Sequence, residues 1–62
     1  MIFIAADQTA VNLNLVTHMN TVKSEGKWIL RINFVGGTSQ ELMFNRSSEA
    51  TDECNKMIEA MW

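Results

Sequence analysis

The chain has 62 residues, of which 47% are hydrophobic and 19% charged, and its formal net charge is −2. A domain of this length buries only about 60% of the surface that its unfolded chain exposes, so such folds commonly depend on disulfides, a metal or a partner. The single cysteine excludes an intrachain disulfide, and Cys54 with His18 does not complete a tetrahedral zinc site. The balanced charge gives no basic patch of the kind that nucleic-acid binders carry, so nucleic acid is not expected as a partner. We expect one domain over residues 1–62 that self-associates as a dimer or larger assembly, without a cofactor or metal.

The start of the chain does not resemble a targeting segment. The apolar run over residues 1–6 ends at Asp7 and lacks the basic segment that opens a secretory signal. No stretch approaches the roughly 20 apolar residues of a membrane span. A lone cysteine fits a reducing compartment. We therefore expect a cytoplasmic protein that does not interact with membranes.

The first half of the chain predicts short strands. Residues 2–6 are rich in β-branched and aromatic side chains, which favour a strand, and residues 7–9 are a polar break. Apolar and polar residues alternate over residues 11–15, which indicates a half-buried strand. For residues 14–16 two interpretations are open: the strand continues, or an irregular turn ends it and a new strand starts near Thr17. We favour the turn.

The clearest strand follows a turn signal at residues 24–26. Because side chains alternate along a strand, its large apolar residues share one face, which we take as the core face. These residues are Trp28, Leu30, Ile32 and Phe34. The opposite face is mixed, and on it Ile29 and Val35 are either partly covered or part of an interface.

The next turn begins at two glycines, and residues 41–45 return as a strand. A two-residue loop over residues 36–37 would place Glu41 opposite Ile32, on the core face. A three-residue loop over residues 36–38 places apolar residues there instead, with Leu42 opposite Ile32 and Phe44 opposite Leu30. Because a one-residue slip moves every side chain to the other face, burial favours the longer loop. In that register Arg31 lies diagonal to Glu41 on the other face, within reach of an exposed ion pair.

A helix is predicted over about residues 47–61, capped by Ser47 or Ser48. Its apolar residues recur at helical spacing and should pack on the core face of the sheet. They are Ala50, Cys54, Met57, Ile58 and Met61. The predicted fold class is α+β: a mostly antiparallel sheet of four to five short strands, followed by one C-terminal helix packed on one sheet face. Trp62 is either the last core contact or an interface anchor.

Several segments together resemble a pattern found in short, uncharacterised bacterial proteins. The segments are Val11-Asn12-Leu13, Val16-Thr17-His18 and Gly26-Lys27-Trp28-Ile29-Leu30-Arg31-Ile32-Asn33-Phe34-Val35-Gly36-Gly37. In those proteins a strand-rich segment is followed by a glutamate- and alanine-rich helix. The resemblance covers about the whole chain and involves mostly core and turn positions. It implies a bacterial or phage origin and the same architecture, and it implies no activity and no site residues.

The sequence offers little for catalysis. It contains one histidine, one cysteine and no tyrosine. A reactive Cys54–His18 pair would need an exposed thiol with a lowered pKa, whereas Cys54 belongs to the apolar stripe of the helix. We therefore predict no catalytic residue and no enzyme.

The leading hypothesis is a non-enzymatic interaction or oligomerisation module. Its candidate interface residues are Ile29, Val35, Met43 and Trp62. The alternative is a small-ligand or nucleic-acid binding protein. Its candidate contacts are His18 and Arg31, together with Lys23 and Lys27 at a hairpin tip.

Overall fold

The computed structural model describes residues 1–61. In chain order, the elements are β1 (Ile2–Ile4), β2 (Ala10–Asn12), one turn of 3-10 helix (Leu13–Leu15), β3 (Val16–Ser24), β4 (Lys27–Phe34), β5 (Ser39–Phe44) and α1 (Ser47–Met61). The strands form two antiparallel sheets: a ribbon of β1 and β2, and a three-stranded sheet in which β4 lies between β3 and β5. The helix packs against the strands, so the predicted α+β class is confirmed, with the strands divided between two sheets.

The ribbon turns at the polar loop that the sequence predicts. The N–H of Ala5 donates to the Thr9 carbonyl at 2.8 Å, and Gln8 has a positive φ of 72° within the loop. The carboxylate of Asp7 accepts the backbone N–H of Thr9 at 3.0 Å. Hydrogen bonds from the Thr9 side chain, and then from its backbone, hold the pKa of Asp7 below its usual range. Local contacts therefore fix this turn.

A turn interrupts the strand between β2 and β3. This confirms the interpretation that an irregular turn ends the first strand and a new strand starts after it. The side chain of Asn12 accepts the backbone N–H of Asn14 at 3.1 Å and thereby caps the 3-10 turn. β3 then begins at Val16, just before the expected start. The first leucine of the turn is buried and the second is exposed, so the break also ends the alternating pattern.

β3 and β4 form a hairpin with a two-residue turn. Glu25 and Gly26 have positive φ angles of 51° and 78°, as a type I′ turn requires. Ser24 therefore pairs with Lys27, and the rest of the register follows from this pair. The turn predicted at residues 24–26 is confirmed.

Phe34 and Thr38 close the loop between β4 and β5, so residues 35–37 lie inside it, one position earlier than the predicted loop. The N–H of Phe34 donates to the Thr38 carbonyl at 2.9 Å and closes the loop. Gly36 and Gly37 have positive φ angles of 94° and 87°, which glycine adopts without steric cost. The predicted loop length is correct, but the loop takes its first residue from the end of the predicted strand.

The predicted register of this hairpin is wrong by two residues. The pairs are Leu42 with Leu30 and Phe44 with Trp28, rather than Leu42 with Ile32 and Phe44 with Leu30. A shift of two residues keeps every side chain on its face, so burial alone cannot distinguish the two registers. The position of the turn distinguishes them: the carbonyl of Phe34 accepts the N–H of Gly37 at 3.2 Å, so the chain already turns at Val35, and moving the loop by one residue shifts the register by two.

α1 begins at Ser47, as predicted, but its cap differs from the prediction. The carbonyl of Arg46 accepts the N–H of Ala50 at 3.3 Å, and the side chain of Glu49 accepts the N–H of Arg46 at 3.2 Å. Arg46 is therefore the N-cap, and Ser47 and Ser48 occupy the first helical positions. The returning contact from Glu49 is one half of a capping box.

The buried face of α1 is rotated from the predicted stripe. Ala50 and Met57 are fully buried and Cys54 is half-buried, whereas Ile58 and Met61 are each 40% exposed. Within residues 1–61, no helix has the length and apolar character to span a membrane.

Glu53 lies on the buried face of α1 and is only 6% exposed. Its Oε2 accepts the backbone N–H of Ala6 at 2.5 Å. A buried carboxylate needs a hydrogen-bond donor, and this contact supplies one to Glu53. It ties the loop of the ribbon to the middle of the helix.

The core lies between α1, the ribbon and one face of the three-stranded sheet, which we call the inner face. Its buried apolar side chains are Ala5, Val11, Leu13, Leu30, Ile32, Leu42 and Met57. Half-buried side chains from β3 and from the ends of β4 and β5 pack around it. The core is therefore shared by nearly every element, and it uses only one face of the sheet.

Candidate interaction surface

The outer face of the three-stranded sheet lies opposite α1 and is built by the alternation of side chains along the strands. Strand pairing groups these side chains into rows that cross the sheet. The rows are Val22–Ile29–Met43, Asn20–Arg31–Glu41 and His18–Asn33–Ser39. We call them the apolar row, the charged row and the polar row. The core lies on the other side of the sheet, so these rows are available to a partner.

The apolar row brings together two predicted interface residues, Ile29 and Met43. Met43 is 70% exposed, and Val22 and Ile29 are half-buried. Directly opposed residues on one face of a sheet have Cβ atoms about 5 Å apart, so the three side chains form a continuous apolar strip. A contiguous apolar strip bordered by polar groups is a candidate interaction site.

The other two predicted interface residues do not join this strip. Val35 is 65% exposed, but it lies in the loop after β4 and not beside Ile29 on the strand. Trp62 lies outside the described residues.

The charged row contains the predicted ion pair. Arg31 Nη2 lies 2.9 Å from Glu41 Oε2, and Arg31 Nε donates to the same oxygen at 3.0 Å. The two residues are directly opposed rather than diagonal, which follows from the corrected register. Both side chains are partly exposed, so the pair contributes below about 1 kcal/mol to stability. Its effect on the surface is to neutralise each charge locally.

The polar row contains His18, the other predicted ligand contact. The hydroxyl of Thr17 contacts His18 Nδ1 at 3.1 Å and donates to the Asn33 carbonyl at 3.2 Å. The amide of Asn33 donates to the His18 carbonyl at 3.4 Å. His18 and Arg31 lie in neighbouring rows, so the structure brings the two candidate ligand contacts onto one face. A cavity of about 180 Å³ lies elsewhere, between the chain start, the 3-10 turn and the end of α1.

The lysines at the hairpin tip do not combine into a basic patch. Lys23 pairs with Trp28, its Nζ lies 5.8 Å from the centre of the indole ring, and both residues have inner-face parity. Lys27 has outer-face parity, and its Nζ donates to Asn45 Oδ1 at 2.7 Å. The two cations therefore lie on opposite faces, and each interacts with a neighbouring side chain.

Cys54 and His18 are not brought together. Cys54 lies on α1 against the core, where burial raises the pKa of its thiol. His18 lies on the outer face, so the sheet separates the two side chains. This geometry does not form a thiol–imidazole pair.

One exposed apolar surface lies outside the predicted interface residues. Ile2 and Ile4 alternate with Phe3 on β1 and are 59% and 57% exposed, whereas Phe3 packs against the core. The alternation over residues 2–4 was the available signal, but a run that is apolar at every position does not show which side faces outwards.

Comparisons of the chain with protein-family models, curated proteins and solved structures return no match. Any functional conclusion therefore depends on the geometry of the chain itself.

Proposed function

We propose that this protein is a non-enzymatic interaction module that self-associates, as a dimer or a larger assembly, in the cytoplasm. The observation that supports it is the apolar row of Val22, Ile29 and Met43 on an outer face that the core does not use. The lone cysteine supports the cytoplasmic location, and the resemblance to short bacterial proteins supports a bacterial or phage origin.

The size of the domain supports the same proposal. A chain of 62 residues has a small core, and anything that binds the folded form alone stabilises it by mass action. Contact between the apolar rows of two copies would remove part of their hydrophobic surface from water without changing the core. Self-association thus supplies the stabilisation that a disulfide or a metal supplies in other small domains.

The direct test is light scattering coupled to size-exclusion chromatography, over a dilution series that begins at high micromolar concentration. We expect a dimer or larger species at the highest concentration and dissociation on dilution. Met43→Glu should shift the series towards monomer without loss of secondary structure, because the side chain is 70% exposed. Ile4→Glu is the matched control on the ribbon. A wild-type chain that stays monomeric throughout would overturn the proposal.

A second candidate function is binding of a small anionic ligand or a nucleic acid. It is favoured by one observation, the placement of His18 and Arg31 in neighbouring rows of the outer face. Titration with a fluorescent single-stranded oligonucleotide at low salt tests the nucleic-acid form, since such binding weakens steeply as salt increases. Inorganic phosphate, followed by NMR shifts of the two side chains, tests the small-ligand form. Absence of binding in both titrations would remove this candidate.

A further inference from the structure

β5 is an edge strand of the three-stranded sheet. The N–H of Phe34 donates to the Thr38 carbonyl, so Thr38 and alternate residues after it direct their backbone groups towards β4. The residues between them, Ser39, Glu41 and Met43, therefore direct their N–H and C=O groups to the free edge. A free edge of this kind is a template for strand addition.

The opposite edge, formed by β3, is protected at its start. The β3–β4 register is irregular between Val16 and His18, and a bulge of this kind bends a strand. The register of β5 with β4 is regular along its whole length, and β5 contains no proline. Bulges and prolines are common protections of natural edges, and β5 has neither.

We propose that a second copy of the chain adds to β5 in antiparallel orientation, with the two-fold axis at Met43. The two three-stranded sheets then become one continuous sheet, with both helices on the same side. This inference rests on the proposed self-association and specifies its geometry. An antiparallel pair of identical strands is compatible with the two-fold symmetry that most homodimers have.

The chemistry of the outer face distinguishes between the possible registers. An axis at Glu41 would place two carboxylates directly opposite each other, which is destabilising. An axis at Leu42 would place Met43 opposite Glu41 of the second copy and so match an apolar row with a charged one. An axis at Met43 places Met43 opposite Met43, and the two apolar rows join into one strip across the whole sheet.

The same register is complementary in charge. It places Glu41 opposite Asn45 of the second copy, the residue that directly follows β5. In each copy Asn45 Oδ1 accepts a hydrogen bond from Lys27 Nζ at 2.7 Å. Glu41 would then have Arg31 beside it in its own sheet and Lys27 near it across the axis. A carboxylate between two cations is favourable. The other registers do not provide this arrangement.

Cysteine cross-linking tests this register, with Cys54→Ser in every variant to remove the native thiol. In the proposed dimer the Cα atoms at position 43 lie about 5.5 Å apart, within the range that a disulfide spans. Met43→Cys should therefore form a disulfide-linked dimer under mild oxidation. Glu41→Cys is the matched control, because its two copies would lie about 13 Å apart along the strands.

A mixed sample gives a further check. When the Glu41→Cys variant is mixed with the Asn45→Cys variant, a disulfide should link one chain of each, because these positions are opposed in the proposed register. If the Glu41→Cys variant formed more disulfide-linked dimer than the Met43→Cys variant, the register would be overturned. A dimer in light scattering without any of the expected disulfides would overturn edge pairing and leave self-association standing. A monomer at every concentration would overturn both proposals.

Discussion

The two faces of the three-stranded sheet are built by the same strands but have different surroundings. On β4, Leu30 and Ile32 are fully buried beneath α1, whereas their neighbours Ile29 and Arg31 face the other way and are half-buried. On β4 the inner-face residues are apolar from Trp28 to Phe34, whereas the outer face of the sheet alternates between apolar, charged and polar rows. The inner face therefore sets the stability of the monomer, and the outer face and its edge are where a partner can act.

The largest effect is expected from Leu30→Ala on the inner face. The side chain is completely buried, so its truncation should lower the free energy of unfolding by about 2–5 kcal/mol. Met43→Ala on the outer face should cost less than about 0.5 kcal/mol at a concentration where the chain is monomeric. Urea denaturation measures both values. Equal losses at the two positions would contradict the assignment of the faces.

A smaller effect is expected at the one charged residue of the buried helix face. Glu53→Ala removes the hydrogen bond from the N–H of Ala6 to a charged acceptor and should cost about 1.5–3 kcal/mol. Glu53→Gln retains an oxygen that can accept this bond, so its loss should be smaller. Urea denaturation of both variants, compared with Glu49→Ala as an exposed control, measures the difference. If Glu53→Ala unfolded at the same urea concentration as the wild type, the tie between ribbon and helix would have no energetic role.

These positions also show what the sequence could predict. Alternation along residues 28–34 correctly assigned the faces of β4, because the period of a strand is fixed by its geometry. The break before β3 and the start of α1 were equally local and were predicted. The register of β5 was not, since it depends on the residue at which the loop closes, and faces alone cannot distinguish a shift of two residues.

The candidate surface was predicted only in part, for the same reason. Ile29, Met43, His18 and Arg31 lie on one face, as their alternation indicates. Glu53 could not be recognised as buried, because its partner Ala6 is 47 residues away in the chain. The rows themselves depend on the pairing between strands. The register predicted for β4 and β5 was wrong by two residues, so the rows could not be predicted.

On the outer face, the pair of Arg31 and Glu41 should contribute little to stability. A double-mutant cycle with Arg31→Ala and Glu41→Ala should give a coupling energy below about 1 kcal/mol, because both side chains are partly exposed. The coupling should decrease as salt is added. Thermal denaturation at low and at high salt measures it. A coupling of several kcal/mol in the monomer would mean that the pair is shielded from water.

The smallest effect is expected from Asp7 in the loop of the ribbon. Its pKa is lowered in the folded chain from the usual 3.8, by hydrogen bonds from the Thr9 side chain and backbone. The stabilisation is therefore present above pH 3.8 and is lost as the pH falls through the lowered pKa. Asp7→Asn should flatten the acid limb of the stability curve in this window. An unchanged acid limb would show that the loop does not depend on the ionised carboxylate.

Amide hydrogen exchange along β5, followed by NMR at two protein concentrations, tests the central claim most directly. The claim is that the free edge of the sheet binds a second copy. The backbone N–H groups of Glu41 and Met43 point to that edge, so they should exchange more slowly as the concentration rises. The N–H of Thr21, on the free edge of β3, should exchange at the same rate throughout. Equal exchange of Glu41 and Met43 at low and at high concentration would contradict the account.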